Sequence, residues 1–572
     1  MNGTVQDVYE PLDAYRDEFR GRFAALAQEK FAELTERSGI DVAANRKLSA
    51  VIRAMDARAA SDSRKRSWFI ALAVIGFIVA LVVPALWAWF EPFRALSTDV
   101  KGAIGGAAAV ALGLAVWATT RAKALGAAVK NLKQTADAHR KTAWAQMAPL
   151  NALYTWDISN RLIEATVPRL KFDDYFSAKR LRDLKRLYDW DDALNHDRSV
   201  RCAQSGVING NPFVFVEFLV QSWGSETYTG SIEISWQERE RDSEGKWRTV
   251  TRYQTLTASV TKPKPVYESR TMLIYGNDAA PKLSFSRKPS GLDSGGWFNG
   301  IKKSRRLNDL KNFSRNLDDD SQFTLMANEE FETWFHAKNR NDEVEFRLLF
   351  SALAQQQMLK LMKDKESGFG DDFIFIKDRK INRLVPEHLQ DALLDMQPSL
   401  FYDYDWESAA KKFLAFNENY FRDLYFALAP LLAIPLYQQT RTHEDIWKDA
   451  LDEEGASFWE HEAVANYYGD RRLGSPESLT RNIFKTEVLR RHDGVSEVEV
   501  CAHGFGGVEH VEYKTALGRD GKYHKVPVHW TEYVPVTQET ILLVGEENLP
   551  RKNSAAEVWK GDLRRMIRSC IG

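Results

Sequence analysis

With 572 residues the chain exceeds what one hydrophobic core ordinarily serves, so three or four structural units are expected. Its 78 basic and 79 acidic side chains leave a net charge of −1, which excludes a global field that would draw it to nucleic acid. Three cysteines, Cys202, Cys501 and Cys570, stand far apart without CxxC spacing, which excludes a disulfide framework and suits a reducing compartment.

In chain order, Leu12, Tyr15, Phe19, Phe23, Leu26, Phe31 and Leu34 recur at helical spacing, with Pro11 suited to a first turn and Gly39 to the end. A second helix is expected after Asp41, with Leu48, Val51 and Met55 on one face, running into the first apolar segment. That segment starts only at Trp68, so no cleaved signal peptide is expected.

Residues 68–90, "WFIALAVIGFIVALVVPALWAWF", carry no charge for 23 positions, enough helix to cross a hydrocarbon layer of roughly 30 Å. Trp68, Trp87 and Trp89 are placed as interfacial anchors. Residues 102–120, "GAIGGAAAVALGLAVWATT", are uncharged but rich in Gly and Ala. The small pairs Gly102/Gly106, Gly105/Ala109 and Ala109/Gly113 predict a close approach to the first span; a buried Ala-rich soluble helix is the alternative.

Arg64, Lys65 and Arg66 precede the first span, and Arg121, Lys123, Lys130 and Lys133 follow the second. The positive-inside rule then puts both termini in the cytoplasm of a multi-pass cell-membrane protein. With no ionisable residue inside the spans, transport by this chain alone is not expected. Beyond the second span Leu125, Val129, Leu132 and Ala136 step by four, three and four. The two juxtamembrane helices are read either as a short antiparallel stalk or as separate amphipathic helices, and residues 10–36 also suit a membrane-surface helix.

From 151 to 200 the pattern is helical and charged. It then changes to "FVFVEFLVQSW", "GSIEISWQERE", "WRTVTRYQTLTASV" and "SRTMLIYG", which predict an antiparallel meander with Lys-Pro turns. Residues 289–299 read as a linker. "VEFRLLFSALAQQQMLKLMKD" has helical spacing, and "DDFIFIKDRKINRL" predicts a hairpin turning near Asp378-Arg379. Strands return at "VSEVEVCAHGFGGVEHVEYKT", "KYHKVPVHWTEYVPV" and "ETILLVG". "RDSEGKWRTV" and "GRDGKYHKV" share a charged Gly-Lys turn, a faint echo between two β units.

The divisions that follow are a helical leader or stalk (1–66), a transmembrane hairpin (67–120), a juxtamembrane helical region (121–205), an antiparallel β unit (206–290), an α+β unit (291–440) and a C-terminal α+β unit (441–572). The fold class is α+β, with N-terminal helices, a transmembrane helical hairpin and a large cytoplasmic region of antiparallel sheets and packed helices.

Few residues offer chemistry. "HEAVA" at 461–465 lacks the second histidine of the zinc-protease motif, since Ala465 stands there. If Gly506-Gly507 form a two-residue turn, His503 faces His510 and Cys501 faces Glu512 on one side of a hairpin, four ligand types that zinc accepts. The same alternation equally describes the solvated face of a half-buried hairpin. Asp371 and Asp372 offer paired carboxylates for acid/base or Mg²⁺ chemistry, although neighbours on a strand point to opposite faces. No G-x-G-x-x-G, Walker or G-x-S-x-G motif occurs.

The strings "FETWF" and "NDEVEFRLLFSALAQQQMLKLMKDKESGFGDDFIFIKDRKIN" within 331–382, then "YFRDLYFALAPLLAIPLYQQT" and "WEHEAVANYYGD", resemble a mycoplasma-type bacterial family of two-helix membrane proteins of unknown function. The resemblance spans about residues 60–550. It implies paired transmembrane helices and a large soluble α+β region, and no activity or site residue. Within it, 425–437 holds 13 uncharged residues, about 20 Å of helix, interrupted by Pro430 and Pro435. This segment is expected to be a kinked core element and not a third span.

The leading functional expectation is a non-enzymatic, membrane-anchored interaction or scaffold protein without a cofactor. Its expected partners are the lipid bilayer, an unidentified protein and a second copy of itself through the Gly/Ala face, with no nucleic acid. The alternatives are a membrane-tethered, zinc-dependent, hydrolase-like enzyme using Cys501, His503, His510 and Glu512, and an accessory subunit of a larger membrane complex.

Overall fold

The computed structural model describes residues 8–89, 98–190, 197–241, 246–292, 299–315, 323–441, 455–492, 495–545 and 568–571. They divide into two compact units, each assembled from separate stretches of chain. One comprises 28–154 and 398–415, and the other 1–27, 155–397 and 416–572.

The smaller unit is built on two long helices, Val42–Trp89 and Thr98–Asn151, which pack antiparallel. Asp56 receives a bidentate ion pair from Arg140 at 2.6 and 2.7 Å, and Asn45 donates to Gln146 at 3.3 Å. The polar lengths of the two helices thus run side by side in opposite directions. Asn45 also donates to the Tyr404 carbonyl and accepts from the Trp406 amide, while Arg53 pairs with Asp405 at 2.9 Å. Phe31, Phe413, Phe401 and Tyr154 close the end of this unit away from its apolar segments with ring contacts.

In the larger unit, an N-terminal helical stretch runs through a π-turn, Tyr15–Phe19. Leu12, Tyr15, Phe19 and Phe23, at steps of three, four and four, form one buried line along it. Tyr15 packs on Phe421, Tyr425 and Phe426, and Phe23 stacks on Phe421 at 4.4 Å. Residues 425–434 are buried almost throughout, as their composition predicts. Pro430 stays inside the Trp406–Leu432 helix, and the kink falls after Leu432, where Pro435 opens the Pro435–Gln439 helix from its first turn.

Among the described residues eleven strands follow: β1 Leu170–Phe172, β2 Arg198–Ile208, β3 Asn211–Arg241, β4 Trp247–Gly276, β5 Ser284–Arg287, β6 Phe373–Asp378, β7 Ile381–Pro386, β8 Ile483–His492, β9 Val495–Leu517, β10 Tyr523–Gly545 and β11 Arg568–Ile571. They form an antiparallel sheet in the order β1-β2-β3-β4-β7-β6-β5 and a second in the order β11-β10-β9-β8. The divisions expected at 206–290 and 291–440 thus contribute to one sheet. The hairpin expected at Asp378-Arg379 is β6–β7, with Arg379 at φ 52° in its turn.

The meander is corrected: its four predicted strands are two, β3 and β4, paired without interruption from Phe213↔Tyr275 to Arg241↔Trp247. The Lys-Pro steps read as turns lie inside β4. Pro263 and Pro265 are tolerated because, past Val220 and short of Leu273, β3 and β4 have no other strand neighbour among the described residues. β9 and β10 form a second two-stranded ribbon in the same way beyond His503.

Two-stranded ribbons are marginal alone, and these two stack. Ile234 and Leu256 of the first bury against Val526 of the second, flanked by Ile232, Trp236, Ala258 and Ala516. Lys262 bridges the layers, pairing with Glu512 at 2.8 Å and lying over the Trp530 ring at 4.1 Å. The sequence echo near 241 and 518 marks the outer ends of the two ribbons. Outside the stack, Thr227 and Thr261 share a hydroxyl hydrogen bond of 3.0 Å, and Thr229↔Ser259 and Ser231↔Thr257 continue an uncharged hydroxyl face.

Candidate functional site: the exposed apolar helix

Among the described residues one helix is long and apolar enough to cross a membrane, and only 6% of its apolar window is buried. A core helix of a water-soluble domain would bury a full stripe. Here Trp68, Ile70, Val74, Ile75, Phe77, Ile78, Val79, Leu81 and Val82 face outward, with Leu81 at 72% exposure. Removing those nine side chains from water is worth on the order of 10–20 kcal/mol, comparable with the whole stability of a domain. Val110, Leu112, Leu114, Val116 and Trp117 of the second long helix are exposed likewise.

The two helices meet along small residues, but not those expected. Ala73, Ala115, Ala118 and Ala122 are buried, and a Cβ placed on Gly76 would lie 2.9 Å from both the Ala111 carbonyl oxygen and the Ala115 Cβ. Gly102, Gly105, Gly106 and Gly113 have nothing within 4 Å of a Cβ position. The close approach in the apolar stretch therefore falls at Gly76 of the first helix, and among the described residues nothing is packed against Gly102, Gly105, Gly106 or Gly113 of the second. Phe69 packs edge-on against Trp117 at 5.5 Å, and the Arg66 guanidinium covers Gly126. The side chains of Trp87 and Trp89, the connection at 90–97 and linker residues 293–298 lie outside the described residues.

The zinc quartet does not assemble. Gly506 and Gly507 lie inside β9, paired with Val534 and Tyr533, and the chain turns only after Leu517, where Gly521 has φ 75°. Without a turn between them, Cys501 and His503 point to the face opposite His510 and Glu512, and His503 is roughly 23 Å along the strand from His510. His510 instead stacks on Trp530 at 4.8 Å and pairs with Glu532 at 2.7 Å. Lys262 and Lys514 hold Glu512 down to about 2, while burial pushes the Cys501 thiol up, away from a thiolate ligand. Among the described residues no group of three or more His, Cys, Asp and Glu could hold a metal ion.

The remaining candidates serve packing. Asp371 is buried in an ion pair with Arg287, whereas Asp372 faces His388, so the two carboxylates share no site. His388 stacks on Phe369 at 3.9 Å. His461 lies in the Phe458–Tyr468 helix with no exposed surface, and burial lowers its pKa to about 3. Its neighbours Glu460 and Glu462 accept from the Phe176 and Val200 amides, fastening that helix to the large sheet.

One group escapes sequence reasoning. Lys377 in β6 is 1% exposed and donates to the carbonyls of Ala279 and Arg379, and burial brings its ammonium down to about 7. The sole sequence signal is a lysine on the inward parity of "FIFIKD".

Neither a family model, nor a curated protein, nor a solved structure matches this chain.

Proposed function

We propose that the chain is a membrane-anchored scaffold, fixed in the bilayer by its apolar helix and offering a large folded surface to a protein partner. The observation that carries this reading is the apolar window with 6% of its residues buried.

The apolar half of Thr98–Asn151 enters the bilayer beside the first span, making a hairpin with both termini cytoplasmic. Support comes from the Gly76–Ala115 approach, the exposed Val110–Trp117 side chains and the basic flanks Arg64–Arg66 and Arg121–Lys133. The unpartnered face carrying Gly102, Gly106 and Gly113 pairs with a second copy. The resemblance to the mycoplasma-type two-helix family belongs to the same proposal.

Alkaline carbonate extraction of membranes from expressing cells tests the anchor: the full chain stays in the pellet, and Ile75→Arg with Ile78→Arg releases it. Wild-type chain in the supernatant would overturn the proposal. Crosslinking in intact membranes that yields neither a dimer nor a reproducible partner would remove the scaffold role and leave the anchor standing.

A further inference from the structure

The Asn299–Arg315 helix carries six basic side chains, Lys302, Lys303, Arg305, Arg306, Lys311 and Arg315, and one acid, Asp309, in a chain whose net charge is −1. Its inner face is fixed by Leu310, which is fully buried, and by Phe313, whose ring meets Phe323 at 5.3 Å. Several charges are consumed locally. Lys303 pairs with Glu330 and Lys311 with Glu329, both at 2.8 Å, and Asp309 is held by Lys338. Among the described residues no acid pairs with Lys302, Arg305 or Arg315, and all three are exposed.

Helical geometry aligns those cations. Positions 301, 305, 308, 312 and 315 fall on one outward stripe, with Lys302 at its margin. The stripe's one large apolar side chain, Ile301, is 46% exposed and is bracketed by Lys302 and Arg305. No aromatic ring lies on it to stack on a base, which argues against single-stranded nucleic acid. A cationic stripe with an isolated aliphatic side chain fits phosphate headgroups above a hydrocarbon boundary.

We propose that this helix docks on an anionic phospholipid surface, with Lys302, Arg305 and Arg315 against the headgroup phosphates and Ile301 entering the headgroup–acyl boundary. The occupant follows from charge complementarity and, resting on the anchor reading above, from a bilayer tethered to the same chain at high effective concentration. Each basic side chain near such a surface strengthens association about fivefold, so three give roughly a hundredfold. The contact weakens with salt.

The test uses the full chain carrying Asn308→Cys, with Cys501→Ser and Cys570→Ser, labelled with an environment-sensitive fluorophore. It is reconstituted in nanodiscs of phosphatidylcholine alone or with phosphatidylglycerol. The expected result is a blue shift and quenching by spin-labelled lipid only in the anionic discs, lost in 0.5 M NaCl and in Lys302→Glu/Arg305→Glu/Arg315→Glu. An unchanged spectrum in discs that contain the chain overturns the proposal, as does stoichiometric RNA that binds the helix and abolishes the lipid response. A chain that fails to enter discs refutes the anchor instead; flotation with phosphatidylglycerol vesicles but not phosphatidylcholine vesicles, lost in the triple variant, then still reads the helix, and no flotation overturns it.

Discussion

The stacking of the two ribbons can be broken by one methyl group. A Cβ on Gly230 of β3 would lie 2.0 Å from the carbonyl oxygen of Pro527 in β10 and 2.9 Å from its carbonyl carbon. Both are backbone atoms, so Gly230→Ala forces the layers apart by more than an ångström to reach ordinary contact. A gap of about an ångström forfeits roughly half of the contact energy. Burial of Ile234, Leu256 and Val526 is worth roughly 5–9 kcal/mol at about 1.5–3 kcal/mol each. The expected loss is therefore about 2–4 kcal/mol, near the range found for overpacked cores and exceeding the roughly 0.5–1 kcal/mol that alanine gains over glycine in a strand. Amide hydrogen exchange of the full chain reads it directly. Protection should fall about 30- to 1,000-fold in both ribbons, 224–236 with 254–264 and 508–516 with 524–532. Ser231→Ala, on the outward face next door, should change nothing. If Gly230→Ala leaves β9–β10 as protected as before, the two ribbons do not depend on each other and the reasoning fails.

Two further outcomes follow from the geometry. Gly76→Leu should separate the long helices at a cost of about 1–3 kcal/mol and abolish disulfide trapping between Phe69→Cys and Trp117→Cys, whereas Gly106→Leu should leave trapping intact; loss in both variants would mean that the glycine face of the second helix also meets the first. His461, buried and held at about 3, is neutral in the folded chain, while an unfolded histidine protonates below about 6.5, so stability is fully present above pH 6.5 and declines as pH falls toward 3. The loss at pH 5 should be about 2 kcal/mol, and His461→Phe should remove that part of the acid slope in denaturant titrations; an unchanged slope would refute the assignment.

Legibility in the sequence followed chemistry that a single chain segment can display. The apolar run at 68–90, the buried line from Leu12 to Phe23 and the kinked core segment at 425–437 each announce themselves through hydrophobic pattern alone. The ribbons did not, because the punctuation marks used to cut strands have other causes here. Pro263 and Pro265 sit where, among the described residues, no strand other than β3 pairs with β4, so a missing N–H on the open edge costs no ladder bond. Gly504 and Gly507 make room for Ser478 and Leu479, with Cβ positions 2.3 and 2.4 Å from those side chains, and neither adopts the positive φ that a turn demands. Reading Gly506-Gly507 as a turn inverted the parity of every later residue and created the zinc quartet. The helix-pair interface was missed for a related reason: glycine spacing signals that close approach is permitted, and only the partner's geometry decides which glycine is approached.

The Tyr425 hydroxyl donates to the Pro11 carbonyl at 2.7 Å across 414 residues of sequence. At translation rates of about 5–20 residues per second, the N-terminal aromatic line of Leu12, Tyr15, Phe19 and Phe23 waits roughly 20–80 s on the ribosome before its docking partner is made. The apolar helix emerges during that interval, while the N-terminal aromatic line is still uncovered. Synthesis order therefore leaves Leu12, Tyr15, Phe19 and Phe23 without the core that buries them until residues 421–426 have been made.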